Sequence, residues 1–280
     1  MPELPEVEVS RRGLLPHLPG RPCLGAVTRA PRLRLPLPDL NALLEGRLLT
    51  AIHRRGKYLL FEWTARPGDP QDEPGWLIVH LGMSGSLRLV ADGAPPAAHD
   101  HVDIRFPGAV LRYRDPRRFG LMVWHGGPHP ERDPRLAVLG VEPLGETFTG
   151  PWLHRALGGK SVAIKQALMD SHLVVGVGNI YAAEALFRAR IAPTAPAGSL
   201  SAARCARLAA AVREVLAESI ALGGSSVRDY VHSDGGMGGY QLSCAVYGRT
   251  GEPCRVCATP IRQIRQGGRS TFYCPHCQGR

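Results

Sequence analysis

Lysine is nearly absent from this 280-residue chain. Only Lys57, Lys160 and Lys165 occur, so arginine supplies 31 of the 34 basic side chains. The bias reflects coding composition, and it marks the three survivors as candidates for places where a compact ammonium serves better than a planar guanidinium. Long apolar runs are missing as well: none approaches the roughly 20 residues that a membrane-spanning helix needs. The opening residues are acidic and broken by proline, unlike a secretory signal or a transit peptide. A cytoplasmic, nucleoid-associated protein with no membrane partner is therefore expected. No repeat recurs at a solenoid period, and no paired carboxylates sit at the spacing of a metal-dependent nuclease.

What the chain does have is positive charge. Its 24 acidic residues leave a net charge of +10, and the isoelectric point is about 9.7. A polyanionic partner follows, with nucleic acid ahead of a membrane because no basic amphipathic helix stands out. At this point a basic surface without any partner accounts for the charge equally well.

From Cys23 to about Trp124 the text reads as short β-prone runs broken by turns, among them "HRRGKYLLFEW", "GWLIVHLGMSGSLRLV" and "GLMVWH". That spacing predicts a β-sandwich or barrel. Ahead of it, Leu4, Val7, Leu14 and Leu18 fall near helical spacing, and Pro5 suits a first helical turn, so a helix starts almost at residue 4. Helical text returns later: "KSVAIKQALMD" with Ser161 as its N-cap, then "NIYAAEALFRAR", then "SAARCARLAAAVREVLAESIAL" ended by Gly223 and Gly224. The chain divides into a β-sandwich domain over 1–135, a linker over 136–155, a helical domain over 156–242 and a small unit over 243–280.

The last unit carries the sharpest motif. Cys254-x-x-Cys257 is followed after sixteen residues by Cys274-x-x-Cys277. Two such pairs bring four thiolates around one zinc ion in a closed structural site, and in a cytoplasmic protein disulfides explain them less well. Between the pairs, two β-prone arms around "QGG" read as a hairpin whose tip carries Arg262, Arg265 and Arg269, suited to gripping a phosphate or entering a groove. Cys23, Cys205 and Cys244 lack ligand spacing and read as small apolar residues. Gly176 and Gly178 precede Asn179 at a helix start about ten residues after the preceding helix, which turns free backbone N–H groups toward an anion such as a DNA phosphate.

Together, "MPELPEVE", "RRGKYLLF", "HLGMSG", "DPRRFG", "GVGNIYAAEALF", "SDGGMGGYQ", "VYGRTGEPC" and "GGRSTFYCPHCQ" run in order through nearly the whole chain and resemble the formamidopyrimidine-DNA glycosylase family. The resemblance implies an α+β multidomain fold: an N-terminal β-sandwich with a leading helix, a helix-two-turns-helix domain and a zinc β-hairpin. It implies duplex DNA containing oxidised bases as the partner, one structural zinc and no nucleotide cofactor; the oligomeric state stays open, and a monomer fits a protein that scans duplex DNA. The implied activity is excision of oxidised purines followed by β,δ-elimination at the abasic site.

The same resemblance gives the site residues. Met1 precedes a small residue and is expected to be removed, which leaves Pro2 as a secondary amine able to attack a sugar carbon and form an iminium. An α-amino group titrates near pH ~8, and the positive end of a helix should ease its deprotonation. Glu3 is assigned proton exchange with the deoxyribose oxygen or the leaving base; read alone, it is a carboxylate stabilised by the helix dipole. Extrusion of the nucleotide needs a wedge, here Met83, Arg117 and Phe119, although Met83 and Phe119 otherwise read as strand core. Lys57 would bind phosphate or polarise the damaged base. Asn179 and Arg269 would pinch the phosphate with His80 nearby, and Lys165 and Glu184 are weaker lesion contacts. "SSVRDYVHSDGGMGGYQLS" reads as a lid over the extruded base, or as a plain linker. Two rivals stay open: an endonuclease VIII type acting on oxidised pyrimidines, and a non-catalytic zinc protein that binds distorted duplex.

Overall fold

The computed structural model describes residues 2–225 and 239–279, apart from the side chain of Gln241. Most of the segment read as a lid lies outside the described residues. The chain forms two compact units, Met1–Ala137 with Gly223–Gly239, and Val138–Leu222 with Tyr240–Arg280.

In the first unit, helix α1 (Leu4–Leu14) leads into β1 (Arg21–Pro22), β2 (Gly25–Thr28), the short α2 (Leu40–Leu44), β3 (Leu48–Arg55), β4 (Tyr58–Trp63), β5 (Gly75–His80), β6 (Ser86–Val90), β7 (Asp100–Phe106), β8 (Ala109–Arg114), β9 (Leu121–Gly126) and α3 (Pro134–Ala137). The strands form two antiparallel sheets, ordered β1-β3-β4-β5-β9 and β2-β7-β8-β6. Alternation decides which faces meet: Val102, Ile104 and Phe106 of β7 point inward and join Leu59, Phe61, Trp63, Leu77 and Val79 in one core. Trp63 and Phe106 stack within it at 6.1 Å. Burying a charge is costly unless partners offset its desolvation, and buried Asp103 is gripped by Arg112 at 2.8 Å and by Arg29 at 2.6 Å.

Helix α1 lays Val7 and Leu14 on this core and buries Leu4 as well. Its buried Glu8 reaches Arg11 at 2.8 Å, Arg12 at 2.9 Å and Arg54 of β3 at 3.0 Å. Burial alone would raise the Glu8 pKa, but the hydrogen bonds from Arg11 and Arg12 and the charges of Arg11 and Arg54 prevail and hold it at about 2.

The second unit contains α4 (Gly150–Leu157), α5 (Ile164–Leu168), α6 (Asn179–Arg188), α7 (Ala202–Ala221), α8 (Tyr240–Ser243), β10 (Arg262–Gln266) and β11 (Arg269–Tyr273). Helix α4 falls partly in the stretch read as a linker; Thr149 caps it through its hydroxyl. Ser201 caps the start of helix α7, its side chain accepting from Arg204 N–H, and Gly223 and Gly224, both with positive φ, follow the C-cap Leu222. Tyr181 of α6 meets Ser219 of α7 at 2.7 Å, which pins the two helices.

Two local expectations change. Ser161 is not an N-cap: residues 160–163 run extended against 195–198, with Ala197 N–H donating to Val162 O and Gly198 N–H to Lys160 O, so α5 begins only after Ala163. Arg262 is not at the hairpin tip. It pairs with Tyr273 at the far end, whereas Gln266 and Arg269 close the two-glycine turn.

Candidate active site

At the head of α1, Pro2 and Glu3 are both buried, Glu3 to 2 % exposure. Glu3 and Glu6 form a capping box: the backbone N–H of Glu3 donates to Glu6 Oε2 at 2.7 Å. The other Glu6 oxygen accepts from the Ser225 N–H at 2.7 Å and its hydroxyl at 2.9 Å. One carboxylate thus ties the residue behind Pro2 to the stem that follows α7. Sequence reading passed over Glu6, although its place three residues after a cap is the signal of a capping box.

A second group gathers at one end of the five-stranded sheet. Lys57 occupies the two-residue turn Gly56–Lys57 between β3 and β4. Its neighbour Tyr58 pairs with His80, the last residue of β5, and His80 pairs with Leu121, the first of β9. Met83 follows β5 and Phe119 precedes β9, so the register brings their loops side by side. Met83 is 39 % and Phe119 44 % exposed, and the Arg117 guanidinium lies 4.7 Å over the Phe119 ring. These two side chains are therefore not strand core.

His80 is a neutral donor. Its Nδ1 accepts the Gly82 N–H at 2.9 Å, which leaves the proton on Nε2. Burial, and then the charges of Lys57 and Arg34, press its pKa down to about 4.

In the second unit, Lys165 is 1 % exposed, and its ammonium donates to Asn179 Oδ1 at 2.6 Å, Thr271 Oγ1 at 2.7 Å and Ser270 O at 3.1 Å. Asn179 Nδ2 also donates to Ser270 O, at 3.0 Å. The N-terminus of α6 is thereby joined to the zinc hairpin next to Arg269. A cavity of about 200 Å³ opens there between Lys165, Gln166, Met169, Gln266 and Arg269. Glu184, the other weaker candidate, is 5 % exposed and caps backbone: Oε2 accepts from Ala245 N–H at 2.8 Å, and Oε1 from Val246 at 3.0 Å and Tyr247 at 2.8 Å.

The four cysteines meet as their spacing requires. Each offers an Sγ within 4.8 Å of all the others, and three pairs lie 3.4–3.9 Å apart. A tetrahedral ion with Zn–S bonds of about 2.3 Å needs S···S separations of roughly 3.8 Å, so a zinc ion fits. Backbone N–H groups of Val256 and Cys277 donate to Sγ of Cys254 and Cys274, and bonds from the Thr259 side chain and backbone draw the Cys257 pKa down to about 6. The ligand set is closed, and Cys254 and Cys274 lie in an apolar cluster with Ala183 of α6, Val246, Ile261 and Phe272. Cys23, Cys205 and Cys244 are buried, and their thiols donate to the backbone oxygens of Gly25, Leu200 and Tyr240.

One chain thus carries a two-sheet sandwich headed by a buried Pro-Glu cap, a helix pair and a four-cysteine hairpin. The formamidopyrimidine-DNA glycosylase N-terminal domain matches residues 1–122, the H2TH domain of the same family residues 139–231, and a zinc finger found in FPG and IleRS residues 251–279. A formamidopyrimidine-DNA glycosylase of Cupriavidus pinatubonensis is 56 % identical over 288 residues, covering 99 % of this chain and 100 % of that protein. The MutM (Fpg) structure of Thermus thermophilus superimposes with a TM-score of 0.85 at 43 % identity, over 99 % of both chains. A Lactococcus lactis Fpg complex with abasic-site DNA gives 0.89 at 35 % identity, over 99 % of this chain and all of that one. The chain belongs to the formamidopyrimidine-DNA glycosylase family: it is a DNA repair glycosylase acting on oxidised bases, with one structural zinc site.

Proposed function

We propose that the protein excises oxidised purines, 8-oxoguanine and formamidopyrimidines, and then cleaves the abasic strand by β and δ elimination through an iminium on Pro2. The observation that carries this reading is the capped start of α1. The Glu3 backbone is anchored to Glu6, so the amine of Pro2, exposed on removal of Met1, sits at the positive end of a helix with a buried carboxylate beside it.

The nitrogen lone pair attacks C1′, and the base leaves with the glycosidic electron pair and a proton. Glu3 protonates O4′ as the sugar ring opens, which gives the iminium. The iminium acidifies C2′; loss of that proton expels the 3′ phosphate, and a second elimination expels the 5′ phosphate. Asn179 and Arg269 grip the phosphate of the extruded nucleotide, with Lys57 and the neutral Nε2–H of His80 as further donors. Met83, Arg117 and Phe119 fill the gap in the duplex. Lys165 and Glu184 serve this machinery from behind, the first by fixing Asn179 against the hairpin, the second by clamping 245–247. Zinc bound by Cys254, Cys257, Cys274 and Cys277 supplies no chemistry and holds the hairpin in shape.

The work is divided among a catalytic sandwich over 1–135, a linker over 136–155, a DNA-gripping helical part over 156–242 and the hairpin over 243–280, in a monomer working in the cytoplasm at the nucleoid. No helix among the described residues is long and apolar enough to cross a membrane.

Reduction with borohydride during incubation with an 8-oxoguanine duplex tests the chemistry. An enzyme of this kind leaves a covalent protein–DNA adduct and loses it in Pro2→Gly, whereas a binding module leaves none. Oxidised pyrimidines are a second substrate class to compare, because one Lactococcus lactis Fpg structure holds DNA with such a lesion. Faster excision of thymine glycol than of 8-oxoguanine refutes the purine preference.

A further inference from the structure

Two side chains that the proposed reaction does not use bind the wedge loops together. The geometry points to Asp115 and Ser84 as a clasp that orders the wedge before DNA arrives. They are positioning residues for base extrusion, and this inference rests on the reading of Met83, Arg117 and Phe119 as the wedge.

Asp115 is fully buried, and the hydroxyl, phenol and backbone N–H groups that donate to its carboxylate are neutral. Its Oδ1 accepts the Ser84 hydroxyl at 2.6 Å and the Arg117 N–H at 3.3 Å. Its Oδ2 accepts the Gly120 N–H at 2.9 Å and the Tyr113 phenol at 3.1 Å. The Ser84 oxygen in turn accepts the Arg117 N–H at 3.2 Å. One carboxylate thus holds both ends of the 117–120 turn, and the serine next to Met83 locks that turn to the other loop.

Local backbone agrees with a forced conformation. Arg118, between Arg117 and Phe119, sits in the left-handed region at φ +55°, uncommon for a side chain of its size, with its N–H donating to Asp115 O. A Cβ on Gly82, which has φ +68°, would meet the backbone of Phe119 and Gly120. The two loops therefore approach more closely than any larger residue at position 82 permits. Two exposed apolar side chains in loops would otherwise sample many conformers, and ordering them during insertion would slow extrusion. A clasp made in advance removes that step.

The test uses full-length, zinc-loaded protein and two substrates. In a duplex with 8-oxoguanine opposite cytosine and 2-aminopurine beside the lesion, the fluorescence rise reports unstacking and single-turnover kinetics report excision. A preformed abasic site in single-stranded DNA needs no extrusion, and borohydride trapping reports its chemistry. Ser84→Ala is expected to slow the fluorescence rise and duplex excision about tenfold while changing abasic trapping less than twofold, Ser84→Thr to restore the rate, and Asp115→Asn to slow extrusion further. The clasp is overturned if Ser84→Ala slows both substrates alike or neither. Phe119→Ala separates the two ideas. If it slows extrusion and Ser84→Ala does not, only the clasp fails; if it leaves extrusion unchanged, the wedge reading fails and takes the clasp with it.

Discussion

Replacing Lys165 with methionine should disable the second unit's DNA grip without touching any group that contacts the sugar. Methionine keeps the length and apolar stem of lysine and deletes the ammonium, so Asn179 Oδ1, Thr271 Oγ1 and Ser270 O all lose a charged donor. Each such bond contributes about 1.5–3 kcal/mol. The sum is reduced because the variant no longer buries a charge, and because Ser270 O keeps the bond from Asn179 Nδ2. A net loss of about 3 kcal/mol results, or a fall of roughly 10–15 °C in the melting temperature of this unit. With Asn179 and the Arg269 strand released from each other, affinity for a duplex holding an abasic analogue should fall about tenfold. Lys165→Arg tests the argument from lysine scarcity. It keeps the charge, but a planar fork does not match three acceptors arranged around a point, so it should lose nearly as much. Differential scanning calorimetry and fluorescence anisotropy measure both effects. Melting within about 1 °C of the parent together with unchanged affinity refutes the anchoring role.

Glu8→Gln removes a carboxylate whose pKa is lowered from 4.5 to about 2 on folding. The stabilisation is present above pH 4.5 and lost as pH falls toward 2, so urea titrations should show a deficit on the order of 2 kcal/mol at pH 7 that vanishes near pH 2, solvent screening at Arg12 having reduced the full linkage value. His80 has a folded pKa lowered from 6.5 to about 4. It therefore disfavours the folded state progressively as pH falls through that window, and its ring signals in NMR should not titrate between pH 6 and 8; a midpoint near 6.5 contradicts the neutral-donor role. Glu184→Gln turns one of two accepting oxygens into a donor facing a backbone N–H, which should cost about 2–3 kcal/mol and speed zinc release to a colorimetric chelator. Unchanged release speaks against the clamp.

Much of the architecture was legible because local chemistry and tertiary packing agree. The helix after Glu3, the alternating strands, the two-glycine turn after Gln266 and the paired cysteines each signal one structure at short range. Ser161 misled because the cap-and-helix pattern of "SVAIKQALM" loses to pairing with residues 195–198, which are distant in sequence. Arg262 misled because hairpin register decides which arginines reach the tip. At the site, lysine scarcity and the resemblance marked Lys165, and the resemblance alone marked Glu184, without revealing their partners: the acceptors around Lys165 lie up to 106 residues away. Asp115 stood in the quoted "DPRRFG" and Ser84 in "HLGMSG", yet a buried carboxylate that shapes a loop has no sequence pattern of its own.

The nucleophile remains the test on which most depends. Reducing the reaction with borohydride, digesting the adduct and locating the sugar by tandem mass spectrometry reads it directly. The expected result is deoxyribose on a peptide that begins at Pro2, bonded through its imino nitrogen. Sugar on a lysine, or undiminished strand scission by protein whose N-terminus retains Met1 or is acylated, contradicts the account.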